Sequence, residues 1–217
     1  MQNVRLRFSK TFDARYISHL DLMRCFSRAI KQSGVDAWYT EGFNPHLYIT
    51  FALPLSLGQE SICEVADIKL NGTMDQYLAE RINRCLPFGV EIYDTGPPRQ
   101  KVSEIAWARY HLELGGGIAP QAIAQAANEL WGRGSIVVHK TTKKGAAETD
   151  IKPLIARLTA TVRGEQCLLD MTLAAGQQVS LNPQAVLEQI FPALGAAPDH
   201  QLIKRVSILN HKLNTFE

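Results

Sequence analysis

The chain has 217 residues, 46% of them hydrophobic and 20% charged, with a formal net charge of +2. That composition excludes a disordered low-complexity chain. No stretch reaches the roughly 18–20 apolar residues of a membrane span, and the start lacks the apolar core of an export signal, so a cytoplasmic protein is expected.

Val4-Arg5-Leu6-Arg7-Phe8 alternates, which predicts a strand with Val4, Leu6 and Phe8 on a core. Ser18 with Asp21 forms a capping-box pattern. The helix it opens carries Leu22, Met23, Phe26, Ala29 and Ile30 at helical spacing and stops at Gly34. Strands are predicted at 36–40, 48–54 and 62–70. Thr73 with Gln76 is a second capping box, opening a helix with Tyr77, Leu78, Ile82 and Leu86, and Val90–Tyr93 closes the unit. The order β-α-β-β-α-β is the ferredoxin-like plan.

Gly96–Lys101 reads as a linker, after which the order restarts. A strand is predicted at 106–114, a helix from Pro120, a strand at Ser135–Thr141 and a basic loop at Thr142–Thr149. A hairpin at 157–163 and 167–174 turns at Gly164-Glu165. Asn182-Pro183 caps a helix, and 201–209 is the last strand. Asp150–Leu158 fits neither element. The expected fold is α+β, with two tandem ferredoxin-like (βαββαβ) domains at 1–96 and 105–217, each with an antiparallel sheet.

Charge is unevenly placed along this frame. Residues 1–31 hold seven Lys/Arg against Asp13 and Asp21, residues 57–96 are net −4, and residues 139–163 are net +4. On the first helix Arg24, Arg28 and Lys31 make a basic stripe opposite the apolar side, able to meet phosphates or simply to face water. The segment Trp38–Tyr48 holds four aromatics with Gly42, Asn44, Pro45 and His46. It suits stacking of unpaired bases, or its rings cap the core. His19 and His46, with Asp21, are candidate acid–base groups if the loop folds onto the helix. Lys143, Lys144 and Lys152 form a second basic cluster without a P-loop ending. Gly115-Gly116-Gly117 before a helix is similar to a phosphate-binding turn. Cys25, Cys63, Cys85 and Cys167 lack zinc-ligand spacing, so a reduced protein without a metal site is expected.

Three runs carry a family resemblance: Arg5–Lys10 with Arg15–Arg24, Glu41–His46 leading into Ile49–Leu55, and Asp150–Ile155. They resemble the radical-SAM-linked protein family, a domain of otherwise unknown function found alone or fused behind a radical S-adenosylmethionine enzyme. The resemblance implies a partner enzyme, and the genes such proteins neighbour in bacteria, for ribonuclease G and ribosomal proteins, imply a role linked to transfer or ribosomal RNA. A radical enzyme needs a cysteine triad that this chain lacks. No cofactor is therefore expected here, and the iron–sulfur cluster and S-adenosylmethionine would belong to the partner. The tandem architecture also resembles RAMP-type RNA-binding proteins, which implies an alternative endoribonuclease role for His19 or His46.

The leading expectation is an RNA-binding or substrate-presenting accessory protein. Its RNA contacts are expected at Arg15, Arg24, Arg28, Lys31, Tyr39, Gly42, Phe43, Asn44, His46, Lys143, Lys144 and Lys152. The other expectations are the endoribonuclease and a module that contacts only the partner enzyme.

Overall fold

The computed structural model describes residues 1–142 and 145–217, with side chains described outside 139–147. These fall into two units, Met1–Val102 with Phe216–Glu217, and Ser103–Thr215.

In the first unit β1 (Gln2–Lys10) buries Val4, Leu6 and Phe8 completely, as its alternation requires. α1 (His19–Gln32) starts where the Ser18 hydroxyl accepts the Asp21 N–H at 3.2 Å and donates to the Asp21 carboxylate at 2.8 Å. Leu22, Phe26, Ala29 and Ile30 face the core. β2 (Ile49–Phe51), β3 (Glu60–Leu70), α2 (Leu78–Asn83) and β4 (Val90–Gly96) complete the unit. The strands run β4-β1-β3-β2, every neighbour antiparallel, which is the ferredoxin-like order.

Two local expectations change. The predicted strand 36–40 is reduced to isolated bridges, Ala37 to Leu70 and Tyr39 to Leu47, because the segment pairs with β3 at a single bridge and then turns onto its own return. The expected cap by Thr73 is displaced by Asp75, whose carboxylate accepts the Tyr77 N–H at 2.8 Å, and the helix begins at Leu78.

The second unit repeats the plan with an insertion. β5 (Ile105–Gly115) is followed by α3 (Pro120–Gly132), then β6 (Val137–Thr142), β7 (Gly145–Asp150), β8 (Ile155–Arg163), β9 (Gln166–Ala174), α4 (Pro183–Ile190) and β10 (His200–Asn210). The main sheet runs β10-β5-β9-β8, again antiparallel throughout. The strand expected at 135–141 is outside it, because it pairs with β7 in a two-stranded hairpin; most of the expected loop 142–149 is that second strand.

The base of the insert shows why Asp150–Leu158 resisted reading. The Asp150 carboxylate accepts the backbone N–H groups of Ile136 and Lys152 at 2.8 and 2.9 Å, while the Ile151 N–H reaches the Ile136 carbonyl. The chain then makes one tight turn, Lys152–Leu154, before entering β8. α3 packs on β8 and β9, and α4 packs on α3, so this face of the sheet is the covered one.

Candidate nucleic-acid interface

The α1 stripe lies where its spacing places it. Arg24, Arg28 and Lys31 are exposed on the side away from the core residues. Arg24 donates to Asp21 at 2.8 Å. The Ser18 hydrogen bond first, and then Arg24, hold the Asp21 carboxyl below its ordinary value. Asp21 thus works as a helix cap. Arg28 and Lys31 make no ion pair among the described residues. Arg15 sits in the 3-10 turn Phe12–Tyr16, 3.7 Å from the buried Glu60 carboxylate and with its guanidinium 5.0 Å from the Tyr16 ring centre.

Residues 38–48 form a closed hairpin. The Trp38 N–H donates to the Lys69 carbonyl, Tyr48 to Trp38 and Thr40 to His46, at 2.8, 3.2 and 2.8 Å. The Thr40 hydroxyl accepts the His46 N–H at 3.1 Å and lies 2.9 Å from its Nδ1. Leu47 is the hairpin's contribution to the core. The rings largely stay outside it: Trp38 is half-buried, and Tyr39 and Tyr48 remain exposed. Trp38 and Tyr48 meet edge to face, and Lys69 Nζ stands 5.1 and 4.3 Å from their ring centres. Lys69 follows the buried Ile68 in β3, so by alternation it stands on the sheet face away from α1. At the tip Gly42 takes φ 121°, and Phe43 is fully exposed beside the exposed Asn44.

The two histidines have separate partners. The His19 ring stands edge-on to Phe51 at 5.4 Å, within the cluster of Phe8, Phe26 and Phe51. His46 turns to Thr40 and the Asn44 carbonyl. No hydrogen bond or ring contact joins His19, His46 and Asp21 among the described residues.

In the second unit Lys152 is committed to structure. Its Nζ donates to the Trp131 carbonyl and lies 3.4 Å from the Trp131 ring centre. Lys143 and Lys144 lie outside the described residues. The glycine turn 115–117 is filled by this chain's own carboxylate. Gly116 and Gly117 have φ 78° and 72°, and a Cβ on Gly117 would come within 2.9 Å of Asp199 Oδ2.

Sequence reading did not pick out the outward face of the second sheet. Arg109 donates through Nε to Asp170 Oδ1 at 2.9 Å and through its Nη2 to Oδ2. His111 Nε2 lies 3.6 Å from the same carboxylate. Burial opposes ionisation of Asp170, but the Arg109 hydrogen bond and charge, with His111 and Arg157, hold its pKa below the ordinary value. The signal was present in β5, where Arg109 and His111 alternate with the buried Ala108, Tyr110 and Leu112.

No cluster of three His, Cys, Asp or Glu able to hold a metal occurs among the described residues. No helix among them is long and apolar enough to cross a membrane.

Two ferredoxin-like units, each with helices on one sheet face, define an α+β protein of tandem architecture. Residues 3–183 match the family described as "Uncharacterized protein conserved in bacteria (DUF2344)", and the chain belongs to that family. No curated protein matches it. Among solved structures, a chain in the crystal structure of a Cbf5-Nop10-Gar1 complex is similar in fold, with TM-score 0.53 and 12% identity. The match covers 94% of this chain and 48% of that one, so this chain spans about half of its length. An unknown protein from Galdieria sulphuraria is 14% identical over 94% of this chain and 98% of that one, at TM-score 0.29.

Proposed function

We propose that this protein binds RNA without cleaving it, and presents it to a separate radical S-adenosylmethionine enzyme. The 38–48 hairpin stacks an unpaired base on Phe43, and Arg24, Arg28 and Lys31 hold phosphates. The observation that carries the reading is Phe43: a large aromatic ring, fully exposed, at the tip of a hairpin fixed by backbone hydrogen bonds. Its exposure gains nothing for the core, whereas an exposed ring face suits every base. The partner enzyme rests on the family resemblance of the Arg15–Arg24, Glu41–His46 and Asp150–Ile155 runs. Its cluster and S-adenosylmethionine belong to that enzyme.

The test is binding of total cellular RNA to the purified chain across a salt series, beside Phe43→Ala and Arg24→Ala/Arg28→Ala, with gels of the recovered RNA. Salt-sensitive binding that both variants weaken, with the RNA intact, is expected. Absence of binding at low salt overturns the reading. Cleavage that His46→Ala abolishes replaces it with the endoribonuclease.

A further inference from the structure

We propose that the open face of the second sheet, centred on Arg157 and Arg163 of β8, is a separate site for the phosphate backbone of single-stranded RNA. The proposal takes its ligand class from the RNA reading above, but none of its residues belong to the hairpin or to α1.

The argument begins with strand geometry. Helices cover one face of this sheet, where Leu158, Leu169 and Met171 are buried. Alternation sends Arg157, Thr159, Thr161 and Arg163 to the other face. All four are exposed. Register places Thr159 opposite Asp170, Thr161 opposite Leu168 and Arg163 opposite Gln166 on β9, with His111 of β5 opposite Asp170 on its other side. The four β8 side chains, with Leu168, Asp170, His111 and the half-buried Glu113 of β5, line a groove of about 570 Å³.

The charges in the groove are unequal in availability. Asp170 is held by Arg109 through two of its nitrogens, with a smaller charge contribution from Arg157, and the remaining carboxylate of the groove, Glu113, is outnumbered by Arg157 and Arg163. Arg157 and Arg163 make no ion pair or hydrogen bond among the described residues. Each therefore presents a full guanidinium to solvent, and a guanidinium matches phosphate oxygens in pairs. The threonine hydroxyls between them supply further donors. Six strand steps separate the two arginines, about 20 Å at roughly 3.3 Å per residue. A single phosphate cannot meet both, whereas an extended strand carrying several phosphates can. The Leu168 side chain on the groove floor offers a surface to a base edge or ribose.

The experiment measures binding of a fluorescently labelled mixed-sequence single-stranded RNA 12-mer to the full chain from low to physiological salt. Arg157→Ala/Arg163→Ala is compared with Arg24→Ala/Arg28→Ala and with a charge-matched control, Arg133→Ala/Lys212→Ala. Circular dichroism and melting establish that each variant is folded. The β8 variant is expected to lose roughly five- to tenfold in affinity. Its log K against log salt slope should fall by about 1.4, since each phosphate contact to a single strand contributes about 0.7. The control should keep the wild-type slope. If the β8 variant keeps the wild-type slope while the α1 variant loses affinity, this site is overturned and the RNA reading stands. If the β8 variant loses the slope and the α1 variant does not, this site stands and the contacts proposed on α1 fall. If the wild-type chain does not bind, both fall. Equal losses in the β8 variant and the control also overturn the site, because they reflect overall charge alone.

Discussion

Phe43→Ala separates function from folding in the first unit. The ring is fully exposed, so its removal takes no apolar area out of a buried contact. The expected change in stability is that of an ordinary surface substitution, within about 0.5 kcal/mol. A base stacked on an aromatic side chain is worth about 1–3 kcal/mol, so RNA affinity should fall roughly 5- to 150-fold. Leu47→Ala, on the same hairpin, is the opposite case. Leu47 is buried in the first core, and its loss should cost about 2–5 kcal/mol of stability. The assay pairs urea unfolding of each variant with fluorescence-anisotropy titration of a single-stranded RNA. An unchanged RNA affinity in folded Phe43→Ala refutes stacking. A loss of stability as large as that of Leu47→Ala refutes the geometry from which the stacking was argued.

Four further outcomes follow from single contacts. Ser18→Ala should destabilise the first unit by about 1 kcal/mol in urea unfolding, because the α1 cap loses its acceptor for the Asp21 N–H. Gly89→Ala should cost more, roughly 1–3 kcal/mol or above, since φ is 84° and the new Cβ would lie 2.3 Å from the Thr11 carbonyl oxygen; an unchanged melting curve would contradict this. The folded pKa of Asp170 is below its unfolded value, so its contribution is complete at neutral pH. That contribution is lost as pH falls below about 3.9 and through the lower folded value, and Asp170→Asn should flatten this limb of a melting-against-pH profile. Cys167 is buried and burial pushes its thiol pKa up, so a thiol reagent should modify Cys25, Cys63 and Cys85 first and Cys167 only on unfolding.

The elements read best from sequence were those whose signals are local. β1 alternates within nine residues, Ser18 and Asp21 are three apart, and α4 begins at its own Asn182 cap. What sequence could not supply was partner choice. Strand 137–142 has strand character, but its neighbour is β7 rather than the main sheet, and only pairing decides that. The site followed the same division. Spacing put Arg24, Arg28 and Lys31 on one helix face, which needs no tertiary information. It could not tell that Lys152 is taken up by Trp131, or that Lys69 bridges Trp38 and Tyr48. A cation's availability depends on neighbours distant in the chain, so composition overstated Lys152. The alternation of β8 was legible, yet its arginines gained meaning only once the helices were assigned to the other face.

The runs that carry the family resemblance divide by physical role. Ser18 and Asp21 cap α1, and His19 stands on the Phe51 edge of the aromatic core, so much of the Arg15–Arg24 run is explained by folding. Asp150 closes the inserted hairpin, Ile151 is fully buried and Lys152 ties the following turn to the end of α3, which explains the Asp150–Ile155 run in the same way. The Glu41–His46 run differs. Thr40 and His46 fix its base, but the fold makes no use of the Phe43 side chain at its tip. A motif residue without a structural task is where a ligand contact is best sought. That places the first functional test on Phe43 rather than on the histidines, because His19 and His46 already have structural partners.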